Sequence, residues 1–140
     1  MFNRIVVAVD LTEMQRSAET LRQTADLAGS ATAKLHMIFV RPLLIEAVLT
    51  YLPKNYYQDE ERTSLETMQD MAKEAKLPLD RLTTSSPVGS AYEHVLECAD
   101  RFNADLIVVG SHRSGMTGFL LGSNADRVVR HATCSVLVIR

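Results

Sequence analysis

No tryptophan occurs in this sequence, aromatic residues make up only 6% of it, and its 140 residues include just two cysteines, four prolines and six glycines. Each scarcity excludes something. Cys98 and Cys134 have no C-x-x-C spacing and apolar neighbours, so each reads as a small buried thiol rather than half of a disulfide or a reactive pair. The net charge of −2 and the isoelectric point near 6.1 provide no basic surface for nucleic acid or an anionic membrane. No apolar run reaches membrane-spanning length, and the N-terminus enters a strand without a signal-peptide core. A cytoplasmic protein with no membrane insertion is therefore expected. His36, His94, His112 and His131 share no metal-ligand spacing, so no structural metal site is expected. A G-x-x-x-x-G-K-[ST] loop is missing, which excludes a P-loop NTPase. Val9-Asp10-Leu11-Thr12 stands after the first strand in place of G-x-G-x-x-G, which argues against a dinucleotide.

What is present alternates strand and helix. Residues 3–10, NRIVVAVD, form an apolar strand ending on a carboxylate, and Thr12 is the expected N-cap of a helix. That helix carries Leu11, Met14, Ala18, Leu21, Ala25 and Ala28 on one stripe and ends at Gly29. Residues 34–40 form a second strand, closed by Arg41-Pro42. Residues 41–57 are irregular but apolar, and are expected to pack on the sheet rather than stand free. A helix from Gln58, with Leu65, Met68, Ala72 and Ala75 inward, stops at Leu77-Pro78. Residues 81–87 are a polar third strand at a sheet edge. Val88-Gly89-Ser90 turns into a helix with Tyr92, Val95, Leu96 and Ala99 inward. Leu106 to Val109 and residues 134–139 are the fourth and fifth strands. Between them Gly122-Ser123-Asn124 opens a helix with Leu121, Ala125, Val128, Val129 and Ala132 on its apolar side.

Such alternation predicts one α/β domain over residues 1–140. Its core would be a single doubly wound, five-stranded parallel sheet of order 3-2-1-4-5, with helices on both faces. The loop after Gly110 permits two readings. Gly122 and Ser123 could be ordinary caps of a βα connection, or the helix N-terminus could receive a phosphate, with glycine allowing close approach. Loop chemistry alone does not separate them. Position does, because Asp10 and Gly110 end the two strands at the switch point, where ligands of open sheets bind. A mononucleotide suits a carboxylate facing a Gly/Ser loop.

At this point the residues resemble a known family, the universal stress proteins, over nearly the whole chain. GSH…LLGSNADRVVRHATCSVLVIR is similar to the family's nucleotide loop, Gly-x-x-Gly, a spacer, then Gly-Ser/Thr. Arg113 stands in place of the second glycine, and the spacer to Gly122 is one residue shorter, as in a short-loop subgroup that includes ATP binders. Arg113 would then supply a cationic contact in place of a backbone N–H. The resemblance implies that Ala8, Val9 and Asp10 border adenosine and that Val40 hydrogen-bonds adenine through its main chain. It implies that Val109 and Gly110 flank the ribose and α-phosphate, with Ser111, His112 and Arg113 following. Gly122, Ser123 and Asn124 would hold the β- and γ-phosphates, and Ser114 and Gly115 lie at the shortened stretch. ATP, AMP or ADP is the implied ligand, with Mg²⁺ carried on ATP by phosphate oxygens and water. A stress-response role and a regulated protein partner are implied as well.

Asp10 could instead merely cap the first helix, and His112 could be a surface histidine. His36, His94 and His131 read as structural, and Arg127 and Arg130 as solvated helix charges. No nucleophile, base and metal constellation is evident. Two alternatives remain beside a binding module: a slow nucleotide hydrolase using His112 or Asp10, and a nucleotide-free interaction protein. The last strand carries Val136, Leu137, Val138 and Ile139 at a sheet edge, so a two-fold homodimer paired through it is expected, as the resemblance also implies.

Overall fold

A computed structural model describes residues 2–28, 32–111 and 121–140. In chain order the elements are β1 (Arg4–Ala8), α1 (Met14–Leu27), β2 (Lys34–Ile38), α2 (Glu46–Leu49), α3 (Tyr56–Glu74), β3 (Leu82–Ser85), α4 (Ala91–Phe102), β4 (Leu106–Gly110), α5 (Ser123–His131) and β5 (Ser135–Ile139). All strand pairs are parallel, in the order β3-β2-β1-β4-β5. Alternate residues of the central strands feed opposite layers. Ile5, Val7, Leu35, Met37, Leu106 and Val108 pack with Leu21 of α1 and Met68 and Ala72 of α3. Val6, Ile38, Ile107 and Val109 pack with Val95 and Ala99 of α4 and Ala125 and Val128 of α5. Strands buried on both faces explain why their sequences are continuous apolar runs.

Local expectations needed revision in several places. Helix α1 begins at Met14, without a side-chain cap, so Thr12 is not its N-cap. Its buried residues are Ser17, Thr20, Leu21 and Thr24, while Met14 is 44% exposed. The inward face is therefore turned toward the hydroxyl residues. Their burial costs little because each finds a main-chain partner. Thr20 Oγ1 donates to Arg16 O (3.0 Å), Thr24 Oγ1 to Thr20 O (2.7 Å) and Ser17 Oγ to Asp10 O (2.8 Å). The expected end of this helix at Gly29 lies outside the described residues.

Residues 41–57 do not pack as expected. Leu43 (70%), Ile45 (69%) and Tyr51 (90%) are exposed, and α2 buries no residue. Only Leu44, Leu49 and Leu52 are half-buried there among the aliphatic side chains. Arg41, at the head of this segment, is the buried residue, and it holds the junction. Its guanidinium donates from Nε (3.0 Å) and Nη2 (2.6 Å) to Ser86 O, and from Nη1 to Tyr57 O (2.9 Å) and Glu60 Oε1 (3.0 Å). Val129 of α5 is likewise exposed, whereas Ala125 and Val128 are buried. Cys98 and Cys134 are unpaired and half-buried rather than fully buried, and burial pushes the Cys98 thiol up to about 11.

His36 links β2 to the edge strand β3: Nδ1 hydrogen-bonds Thr83 Oγ1 (2.6 Å) and Nε2 hydrogen-bonds Ser85 Oγ (2.8 Å). Burial lowers its affinity for a proton below the ordinary value of 6.5. The unfolded chain therefore binds the proton more readily, and stability falls as pH drops below about 6.5 and through the folded value. Urea titrations at stepped pH should show that His36→Gln, which keeps hydrogen-bonding groups, flattens this acid limb.

Candidate functional site

The C-terminal ends of β1 and β4 open onto a crevice of about 630 Å³. Small-molecule sites commonly enclose roughly 300–1,000 Å³, so the space suits a ligand of nucleotide size. Ala8, Val9 and Asp10 line it from β1, Val40 from the end of β2, and Val109, Gly110 and Ser111 from β4. Gly122, Ser123 and Asn124 line it from the start of α5. All expected site residues within the described part of the chain therefore line one cavity; His112 and Arg113, with Ser114 and Gly115, lie outside that part.

Asp10 is exposed at the strand tip. Its Oδ1 accepts hydrogen bonds from the Thr12 N–H (2.9 Å) and the Thr12 hydroxyl (2.6 Å), which closes a turn ahead of α1. It does not cap α1 itself. Ser17 clasps the same residue from the helix, accepting from Asp10 N–H (2.9 Å) and donating back to its carbonyl. The carboxylate is thus held in place by its neighbours, with Oδ2 unpartnered among the described residues.

At Val40 the main chain leaves the ladder. The Phe39 N–H still donates to Ser85 O (3.1 Å), and the Arg41 N–H donates to Pro87 O (2.8 Å). Between them the N–H and C=O of Val40 have no partner among the described residues. A donor and an acceptor one residue wide are left available at the cavity wall.

Gly110 and Gly122 differ in what they do. Among the described residues a Cβ on Gly110 would meet only Thr20 Oγ1, at an ordinary 3.8 Å. A Cβ on Gly122 would press on the Ser111 carbonyl oxygen at 3.2 Å, and the Gly122 N–H donates to that oxygen (3.0 Å). A side chain at Gly122 would require the Ser111 carbonyl to give by a few tenths of an ångström before any ligand arrives. Gly122→Ala should therefore cost about 1–2 kcal/mol, readable in a denaturant titration, because Ala is also a poorer N-cap than Gly.

Helix α5 starts without a side-chain cap. The main-chain N–H groups of its first turn are left to water or an anion, at the positive end of the helix dipole. Asp126, the acid of that turn, is engaged by Arg130 through Nε (3.0 and 3.1 Å). Ser111 points away from this role, since its N–H donates to Ile139 O (3.0 Å) and its hydroxyl faces the same carbonyl (3.4 Å). Glu13, Arg16 and Glu19 of the α1 region also border the cavity, with Glu13 and Arg16 within 3.9 Å of each other. Among the described residues no group of three His, Cys, Asp or Glu side chains could hold a metal ion. No helix among them is long and apolar enough to cross a membrane.

Thr20 and Tyr92 also line the cavity and were not expected there. Thr20 follows Asp10 by less than three helical turns on the buried side of α1, but it was hidden by the aliphatic stripe. Tyr92 lies just past the Val88-Gly89-Ser90 turn, which follows a strand on the cavity side. Arg127 is not simply solvated: its guanidinium carbon lies 4.9 Å from the centre of the Tyr92 ring.

The model of the universal stress protein family matches residues 1–140. The chain belongs to this family. Universal stress protein G of Salmonella typhimurium is 32% identical over 143 aligned residues, covering 100% of both chains. Among solved structures, a universal stress protein in complex with cAMP is 26% identical, with a TM-score of 0.70 over 99% of this chain and 97% of that one. The universal stress protein from Archaeoglobus fulgidus in complex with dAMP is 20% identical, with a TM-score of 0.69 over 99% and 98%, and shares the fold. The five-stranded parallel sheet is that of the universal stress proteins.

Proposed function

We propose that this universal stress protein binds an adenine mononucleotide between the ends of β1 and β4, and that binding rather than turnover is its output. The observation that carries this reading is the single crevice joining the Asp10 tip, the unpaired Val40 main chain and the uncapped start of α5. Each end of a nucleotide has a matching group there. The Val40 N–H can donate to adenine N1 and its carbonyl can accept from the adenine amino group. Guanine presents the opposite polarity at those atoms and would leave both main-chain groups unsatisfied. Ala8, Val9 and Val109 supply apolar surface, and Asp10 can accept from a ribose hydroxyl. Gly110, Ser123 and Asn124 stand where phosphate would meet the amides of α5, with Ser111 and Gly122 shaping that turn. His112 and Arg113 are assigned to the phosphates from the sequence alone. The 26%-identical relative with bound cAMP supports the ligand class.

ATP is the full-length ligand in this proposal, with Mg²⁺ held by phosphate oxygens and water. The nucleotide state is then sensed by a partner protein during stress, from a cytoplasmic homodimer paired through β5. Isothermal titration of the purified protein with AMP, cAMP, ATP with and without Mg²⁺, and GMP tests the core of it. Saturable heat with the adenine nucleotides and at least tenfold weaker GMP binding is expected. No heat with any adenine nucleotide would end the proposal, and a one-chain mass by light scattering would end the dimer.

A further inference from the structure

Among the described residues two aromatic side chains line the cavity, and one of them is held by a cation. Phe39 and Tyr92 are both half-buried, Phe39 packed against the core shared with α1 and α3 and Tyr92 against the one shared with α4 and α5. Tyr92 sits in the first turn of α4, half-buried at the junction of α4 and α5, beside the wall residues Gly89, Val95 and Val128. Among the described residues its hydroxyl reaches only Glu93 Oε1, at a long 3.3 Å, so that bond does little to fix the ring. The Arg127 guanidinium does more, lying over the ring at 4.9 Å, with His131 at 6.5 Å between ring centres. A cation on one face fixes an aromatic plane and leaves the rest of its surface for a ligand. Arg127 belongs to the same helix whose first amides face the cavity, so one element supports both ends of the site.

We propose that Tyr92 is the wall against which the purine of the bound nucleotide packs, and that Arg127 is the positioning residue that holds its ring there. The inference rests on the nucleotide reading above. It assigns selectivity for a base over a bare sugar phosphate to Tyr92, in addition to the hydrogen bonds at Val40. Stacking a base on an aromatic ring is worth enough to change affinity by about tenfold.

Titrations of the full chain with AMP and with ribose 5-phosphate test this. Tyr92→Leu keeps apolar bulk between α4 and α5 but loses the aromatic plane, and should weaken AMP about tenfold while leaving ribose 5-phosphate unchanged. Tyr92→Phe should bind AMP as the wild type does. Arg127→Ala should weaken AMP by about threefold, and Arg127→Lys should restore most of the loss, since an ammonium can also sit over the ring. Equal loss of AMP and ribose 5-phosphate in Tyr92→Leu would overturn the assignment, as would an unchanged AMP affinity. A wild type that binds AMP no better than ribose 5-phosphate would overturn it while leaving phosphate binding intact. A wild type that binds neither would remove the nucleotide reading together with this one.

Discussion

Replacing Gly110 with leucine is expected to abolish adenine-nucleotide binding while leaving the fold intact. The glycine ends β4 at the mouth of the crevice, and among the described residues a Cβ there would meet only Thr20, at 3.8 Å. No described residue therefore crowds a Cβ there, and leucine is a better strand residue than glycine. The branched side chain would instead occupy space required by the ribose and first phosphate. A steric conflict of that kind should weaken affinity by at least about a hundredfold, or about 2.7 kcal/mol. Stability by urea titration should change by less than about 1 kcal/mol. The pairing of these two measurements is what matters. Loss of binding with loss of fold would say only that Gly110 is structural.

The second large effect is on stability. Arg41→Ala removes a cation that is 3% exposed and takes its donors away from Ser86 O, Tyr57 O and Glu60 Oε1, although Glu60 Oε2 keeps the Tyr56 hydroxyl (3.1 Å). Breaking such a cluster by deleting one member should cost about 3 kcal/mol, seen as a fall in melting temperature of roughly 10 °C. Arg41→Lys should recover less than half, because one ammonium cannot span two carbonyls and a carboxylate as the planar fork does. The cost far exceeds that of the surface pairs, such as Arg62 with Asp59 and Glu66, whose side chains are mostly exposed. Calorimetry of the two variants beside Arg62→Ala separates these cases.

The sheet was legible because its information is local. Residues 5–7 and 106–109 are uninterrupted apolar runs, as a strand covered on both faces requires, and their shortness between turn residues favours strand over buried helix. The strand ends, Asp10 and Gly110, were legible for the same reason, and topology then brought them together. The inner face of α1 was not. Thr20 and Thr24 look like surface residues until their hydroxyls are seen bonded to the preceding turn, which makes them acceptable in the core. Residues 43–52 misled in the opposite sense. Apolar composition says that burial would be favourable, but not that a partner exists, and Leu43, Ile45 and Tyr51 lie exposed. Arg41 was unreadable because its partners come from α3 and from beyond β3, far along the chain. Gly122 was read for its room to admit a phosphate, yet the Ser111 carbonyl, 3.2 Å from where a Cβ would stand, also takes up part of that room.

The central claim concerns where the ligand sits, and amide-resolved NMR of this 15.6 kDa chain titrated with AMP tests it most directly. The Val40 amide and those of Ser123 and Asn124 should shift together, saturably and with one dissociation constant, as purine and phosphate engage opposite ends of the crevice. Saturable shifts confined to another surface, or no shift at Val40 and the start of α5 at saturating AMP, would contradict it.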